Sequence, residues 1–136
     1  MEQFVVLGKP QGKGRPRFRK AGAFVQTYTP KPTQDYENKV REVYAKVCHN
    51  RKLEGMLTVT VRAYFEPPKS ISKKKRELLI GNWYDKKPDA DNIGKIICDA
   101  LNKIAYKDDN QIVCLKVEKK YDNISRVEVK LEEIAR

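Results

Sequence analysis

Between residues 86 and 111 the chain places Asp89, Asp91, Asp99, Asp108 and Asp109, five of the eighteen acidic residues of a protein with a formal net charge of +11. Asp89 and Asp91 lie two apart in Lys-Pro-Asp-Ala-Asp-Asn-Ile-Gly-Lys, at the expected entrance of a helix, and Asp108-Asp109 closes the segment. Carboxylates crowded in this way repel one another and call for a cation. That cation can be lysine. Asp91 or Asn92 then caps the helix, Asp91 and Lys95 form a surface ion pair worth under about 1 kcal/mol, and Asp108-Asp109 is a turn. It can also be a divalent metal. Asp89, Asp91 and Asp109 then act as hard oxygen ligands for one or two Mg²⁺ ions, which keep positions open for a phosphate oxygen. Lys95 shares a helix face with Asp91 and Asp99 through their spacing of four. It would serve there as a point charge beside the reacting phosphate, or as a proton donor.

The elements that must position these groups follow from the hydrophobic pattern. Ile93, Ile96, Ile97, Ala100, Leu101 and Ile104 give the helix after Pro88 its buried stripe. A strand over 111–121, with Val113, Leu115 and Val117 on one face, could run back beside that helix and return Asp109 to its N-terminal end. The strand over 124–133 puts Val127, Val129 and Leu131 inward. The Asp122-Asn123 turn between the two predicts an antiparallel hairpin. Upstream, residues 2–8 predict a short strand buried on both faces, and Ala23–Tyr28 a second that pairs back onto it. Tyr36, Val40, Val43, Tyr44 and Val47 define a helix from Lys31 or Thr33 to about Asn50. Leu57–Phe65 alternates as a strand. Ser70 or Ser72 caps a short helix over 73–81, anchored by Leu78, Leu79 and Ile80. The expected fold is mixed α/β (α+β), a small sheet of four or five strands with about three helices in a single domain, 1–136.

The positive charge is concentrated. Six of the twelve residues from Lys9 to Lys20 are basic, among them Lys13, Arg15, Arg17 and Arg19, and Gly12, Gly14, Pro10 and Pro16 forbid a regular helix there. Such a loop can lay its cations along a phosphate backbone while the glycines allow close main-chain approach. Lys73, Lys74, Lys75 and Arg76 sit in a first helical turn, where the helix dipole disfavours cations, so a phosphate ligand accounts for them better than local stability does. Lys86 and Lys87 precede the acidic pair. A single histidine, His49, excludes nuclease sites built on several imidazoles, and it reads as an exposed helix-end residue. Three cysteines without CxxC spacing read as free, mostly buried thiols in a reducing compartment. No apolar run is long enough to span a membrane, and the N-terminus carries no secretory pattern, which predicts a cytoplasmic protein.

The order of the whole central segment resembles the RusA-type Holliday junction resolvases, a family often found in phages and prophages. The match runs through Lys-Pro-Asp-Ala-Asp-Asn-Ile-Gly-Lys, Asp-Ala-Leu-Asn and Ala-Tyr-Lys-Asp-Asp-Asn-Gln-Ile-Val, and extends to Gly-Lys-Gly-Arg-Pro-Arg-Phe at 12–18, Tyr-Thr-Pro at 28–30 and Ser-Lys-Lys-Lys-Arg at 72–76. The resemblance implies an acidic triad at Asp89, Asp91 and Asp109, an essential lysine at Lys95, and a need for Mg²⁺ or Mn²⁺. It also implies a homodimer that makes paired nicks in four-way DNA junctions during recombination and repair, leaving 5′-phosphate and 3′-hydroxyl ends. Asp99 is read as structural, orienting a neighbour, and Asp108 matches an acidic family position. Two other readings stay in view. One is a PD-(D/E)xK-like nuclease using Glu118, Lys119 and Lys120. The other is a non-enzymatic basic nucleic-acid-binding protein in which the aspartates are structural.

Overall fold

The computed structural model describes residues 1–134. Its central strand is β4 (Leu57–Phe65), whose alternation sorts cleanly: Leu57, Val59, Val61, Ala63 and Phe65 are buried while Thr58, Thr60, Arg62 and Tyr64 face the other way. The sheet order is β1-β6-β4-β5, with β1 Glu2–Leu7, β5 Ile112–Tyr121 and β6 Arg126–Glu133. β4 runs parallel to β5 and antiparallel to β6, and β6 runs antiparallel to β1. Two helices, α1 (Lys31–Cys48) and α3 (Ala90–Leu101), cover one face of the sheet. The opposite face is polar, lined at one place by Arg62, Tyr64, Lys116, Glu118 and Lys120. A short helix, α2 (Lys73–Leu79), follows β4. The predicted α+β class and the count of helices hold.

α3 is the most apolar of the helices. Ile93, Ile96, Ile97, Ala100 and Leu101 are all fully buried, and each large side chain stabilises the fold by about 1.5–3 kcal/mol relative to exposure. Ile104 lies past the helix end and is partly buried. Along α1 the buried positions are Tyr36, Val40, Tyr44 and Cys48, stepping by four. Val47 is therefore turned to solvent, and Cys48 takes the place the sequence reading gave it. Of the thiols only Cys48 is buried; Cys98 is half-buried and Cys114 exposed.

Several expectations change. β5 and β6 are not a hairpin, because β4 lies between them. Residues 122–125 carry the chain across the end of β4, a step of two strand spacings, about 9.6 Å. Asp122 N donates to Phe65 O (3.0 Å), Asp122 and Arg126 pair at 3.0 Å, and Glu66 and Ser125 exchange hydrogen bonds at 3.1 and 3.3 Å. β5 instead closes a parallel strand–helix–strand unit with β4, the connection parallel strands require. β1 is an edge strand buried on one face, with Phe4 and Val6 inward and Val5 and Leu7 exposed. The stretch near Ala23 does not pair with β1: β3 (Phe24–Tyr28) pairs with β2 (Arg17–Ala21), so part of the expected irregular loop is a strand. Ser72 caps α2, accepting from Lys75 N at 3.2 Å, but α2 buries no residue, and Leu78 faces solvent instead of anchoring it.

Candidate active site and DNA surface

Asp89 is the N-cap residue of α3, yet its carboxylate makes no cap hydrogen bond, and Asp91 stands in the first helical turn. Neither Asp91 nor Asn92 is the cap. Among the described residues neither Asp89 nor Asp91 has an ion-pair partner, and both side chains are exposed at the positive end of the helix dipole. The approach to them is held from below. Lys119 Nζ donates to Lys86 O at 2.7 Å and to Pro88 O at 2.9 Å, and it lies over the Tyr84 ring at 5.6 Å. Tyr84 is stacked on Phe65 at 3.8 Å and donates its hydroxyl to Lys87 O at 3.3 Å. Two side chains thus fix three successive carbonyls just before Asp89.

A glycine wedge closes the other side. A Cβ on Gly12 would stand 2.9 Å from Pro88 Cβ and 3.2 Å from Asn92 Cβ, and one on Gly14 would stand 2.6 Å from Thr33 Oγ1. Only glycine lets this segment lie against both helices. Gly14 N donates to Thr33 Oγ1 at 3.1 Å, and Lys13 N to Asn92 O at 2.9 Å. The Lys13 ammonium bridges Glu37 (2.8 Å) and Asp99 (3.2 Å). Burial alone would lower its pKa, but the hydrogen bonds and charges of Glu37 and Asp99 outweigh that and raise it. Lys13, expected on DNA, is thus a bolt joining α1 to α3. Between the wedge and the helix entrance opens a cleft of about 700 Å³, lined among others by Lys9, Arg15, Lys87, Asp89 and Asn92.

Asp109 is elsewhere. It begins a 3₁₀ turn, Asp109–Gln111, that leads directly into β5. β5 starts beside the C-terminal half of α3 and ends beside its entrance, where Lys119 meets Pro88. The strand runs back beside the helix as expected, but it carries Val117 and Lys119 to the entrance and leaves Asp109 behind. Asp109's carboxyl is raised above its ordinary pKa by burial, then by the nearby charges of Asp99 and Asp108, against the lowering influence of Tyr106 and Lys95. Asp99 lies ten residues along α3 from Asp89, about 15 Å of helical rise. Among the described residues no three His, Cys, Asp or Glu side chains gather closely enough to hold a metal. Asp108 is engaged locally: its carboxylate accepts from Asp109 N at 2.8 Å, and Gln111 Oε1 accepts from Asp108 N at 3.1 Å, a complete capping box.

Lys95 reaches Asp99 at 3.7 Å, not Asp91, and its side chain is otherwise exposed. Asp99 thus receives both Lys13 and Lys95. Lys86 Nζ approaches the Tyr121 hydroxyl at 3.5 Å. Lys73, Lys74 and Lys75 are exposed on α2 and do not line the Asp89 cleft, and Arg76 reaches back to Pro68 O at 3.5 Å. Arg17 and Arg19 project from β2. Trp83 is exposed, with Lys120 over its ring at 4.6 Å, whereas Tyr84 packs. Glu118 pairs with Arg62 (3.4 Å) and Lys116 (3.7 Å) on the polar face of the sheet, away from α3, so it does not join Asp89 in a PD-(D/E)xK site.

Two participants entered the sequence reading in other places, Lys9 only as the start of the basic loop and Lys119 only in the PD-(D/E)xK alternative. Lys9 lines the cleft, and Lys119 shapes its floor. The signal for Lys119 was present: the period of two puts it with Leu115 and Val117 on the side of β5 that faces α3, and a lysine there needs acceptors. What the site offers is chemically narrow. One unpaired carboxylate, Asp89, lines a cationic cleft and a second, Asp91, stands two residues on in the first turn of α3. This donor set suits hydrated Mg²⁺, which takes one or two carboxylates and fills its remaining positions with water and phosphate oxygens.

The chain is 36% identical over 137 residues, covering 98% of its length and 96% of the relative's, to the uncharacterized protein YqaN of Bacillus subtilis (strain 168). It is 29% identical over 135 residues, 97% of its length and 96% of the relative's, to the crossover junction endodeoxyribonuclease rusA of Lactococcus phage r1t. The family description endodeoxyribonuclease RusA matches residues 8–132. With nearly the whole chain covered, from the glycine wedge to the last strand, the protein belongs to the RusA endodeoxyribonuclease family.

Proposed function

We propose that this endodeoxyribonuclease resolves four-way DNA junctions by paired symmetric nicks, with Mg²⁺ or Mn²⁺, in recombination and repair. The observation that carries the reading is the unpartnered carboxylate of Asp89, which lines a cleft together with Lys9, Arg15 and Lys87, with unpartnered Asp91 two residues on in the first turn of α3. A phosphate drawn in by those cations is brought up to the two groups able to hold a metal. Bound there, Mg²⁺ would neutralise charge on the phosphate and make water a stronger nucleophile. Lys95, one turn from Asp91, supplies positive charge to the scissile phosphate. Arg15, Lys87 and Lys9 hold the flanking backbone. Lys119 and Tyr84 keep the residues before Asp89 from moving as DNA enters. Hydrolysis yields 5′-phosphate and 3′-hydroxyl ends.

A two-fold junction cut symmetrically calls for a two-fold enzyme, so the working unit is a homodimer. The same arrangement deals with Asp109, which among the described residues of one chain does not gather with Asp89 and Asp91 into a group able to hold a metal. β5 is an edge strand whose far end, Lys119–Tyr121, is covered by residues 81–84 but whose first part, with Val113 and Leu115 exposed, is open, and Asp109 stands just before it. A second copy against that edge would bring its own Asp109 toward the first copy's Asp89 and Asp91.

The test compares a synthetic four-way junction with a linear duplex of the same sequence, with and without Mg²⁺. Paired, ligatable nicks in the junction alone are expected. Metal-independent cutting, or equal cutting of the duplex, would refute the reading. A purely binding protein would retain the junction without nicking it under any metal.

A further inference from the structure

β2 and β3 form a two-stranded ribbon that, among the described residues, pairs with no other strand. Such a pair is marginally stable alone, and this one exposes apolar side chains that globular proteins normally bury. The chain has four phenylalanines. Phe4 and Phe65 are core residues, but Phe18 and Phe24 are 71% and 76% exposed. The register puts Arg17, Arg19, Phe24 and Tyr28 on one face and Phe18, Lys20 and Val25 on the other. Arg19 lies over Tyr28 at 5.3 Å.

Charge decides what could cover this ribbon. From Lys9 to Gln34 the sequence contains no acidic residue. A second copy laid ribbon against ribbon would press arginine on arginine. Nucleic acid supplies the missing negative charge, and cations interleaved with aromatics are the pattern that grips phosphates while stacking on bases. The dimensions agree: a two-stranded ribbon fits the major groove, and five residues of strand extend about 17 Å. Its root is fixed, because Arg15 lines the Asp89 cleft and Gly14 is tied to Thr33.

Resting on the junction reading above, we propose that the ribbon is a branch-sensing arm, in which Phe18 and Phe24 stack on bases unpaired at the crossover while Arg17, Arg19 and Lys20 hold the adjoining phosphates. Bases inside a duplex are already stacked and cost energy to extract; those at a branch cost less. The arm therefore favours branched over linear DNA without reading sequence.

The test uses Phe18→Ser and Phe24→Ser in the full chain; both side chains are exposed, so the fold should persist, and thermal melting checks it. Affinity is measured for a four-way junction and for a matching duplex. Fluorescence is followed from 2-aminopurine placed at the branch, and sedimentation gives the oligomeric state. Each change should weaken junction binding by about tenfold, leave duplex binding unaltered, and remove the fluorescence change that the unmodified protein produces. Equal loss on both DNAs, unchanged junction binding, or dissociation of the oligomer would overturn the arm. If the unmodified protein itself shows no preference for the junction, the junction reading falls instead.

Discussion

If the metal site is completed across two chains, it can be rebuilt from two broken ones. Among the described residues of one protomer Asp89, Asp91 and Asp109 do not gather into a group that could hold a metal, and Asp109 lies instead beside Asp99, which is ten residues along α3 from Asp89. Two oxygens on one Mg²⁺, each about 2.1 Å from the ion, lie at most about 4 Å apart. Asp91→Asn and Asp109→Asn should each abolish nicking as homodimers while preserving junction binding. A mixed dimer carrying one change on each chain should regain one intact site, since the unaltered Asp91 of one copy meets the unaltered Asp109 of the other. Each purified mixed dimer keeps one of two sites, so about half of wild-type single-strand nicking is expected. The reciprocal mixture sharpens the test. A doubly altered chain paired with a wild-type chain should be inactive, because both sites receive a damaged half. Differently tagged chains, purified as mixed dimers and assayed on an end-labelled junction, measure both cases. Activity in the doubly altered mixture, and none in the first, would place all three carboxylates in one chain and refute the reasoning.

Other perturbations test separate steps. Lys119→Met removes the donors to Lys86 O and Pro88 O; it should lower stability by about 1–3 kcal/mol and raise the Mg²⁺ concentration needed for half-maximal nicking. Lys116→Met on the opposite face of the same strand should do neither, and identical behaviour of the two would remove Lys119 from the site. Neutralising Arg15, Arg17 and Arg19 together should flatten the plot of log affinity against log salt by about 0.9 for each phosphate no longer neutralised, and an unchanged slope would mean these side chains stay in solvent. Asp122 has its pKa lowered by the hydrogen bond from Asn123 N and then by Arg126. A lowered folded value means the contribution is present above the unfolded value and disappears as pH falls through the folded one. Asp122→Ala should therefore reduce Tm at neutral pH and leave it unchanged in strong acid; an equal loss at both pH values would show that packing, not charge, is responsible.

Much of this architecture was legible because local periodicity and global burial agree. β4 alternates over its whole length, and α3 carries an unbroken apolar stripe, so both elements fell where the pattern put them. The misreadings have one source, which is that partner choice between strands is not written in either strand. Asp122-Asn123 has turn chemistry, and nothing in those residues distinguishes a hairpin from a step across β4. Arg17–Ala21 looks irregular because glycine and proline precede it and no apolar alternation marks it; an exposed ribbon has no core to point toward. At the site, the residue types at Asp89 and Asp91 gave their chemistry directly. The distance to Asp109 depended on the direction and starting point of β5, which only the fold supplies. Lys13 shows the reverse case: its surroundings in sequence are those of a phosphate ligand, while Glu37 and Asp99, distant in sequence, claim its charge.

The pairing of β1 with β6 has a consequence for how the protein comes into being. Among the described residues, 2–7 find their sheet partner at 126–133, and β4 finds both of its neighbours after residue 111. The first strand must therefore wait for a partner more than a hundred residues further along the chain. Such dependence on distant contacts slows folding. It also means that a chain cut short before residue 126 would lack the strand that joins β1 to β4 and would leave both without that neighbour.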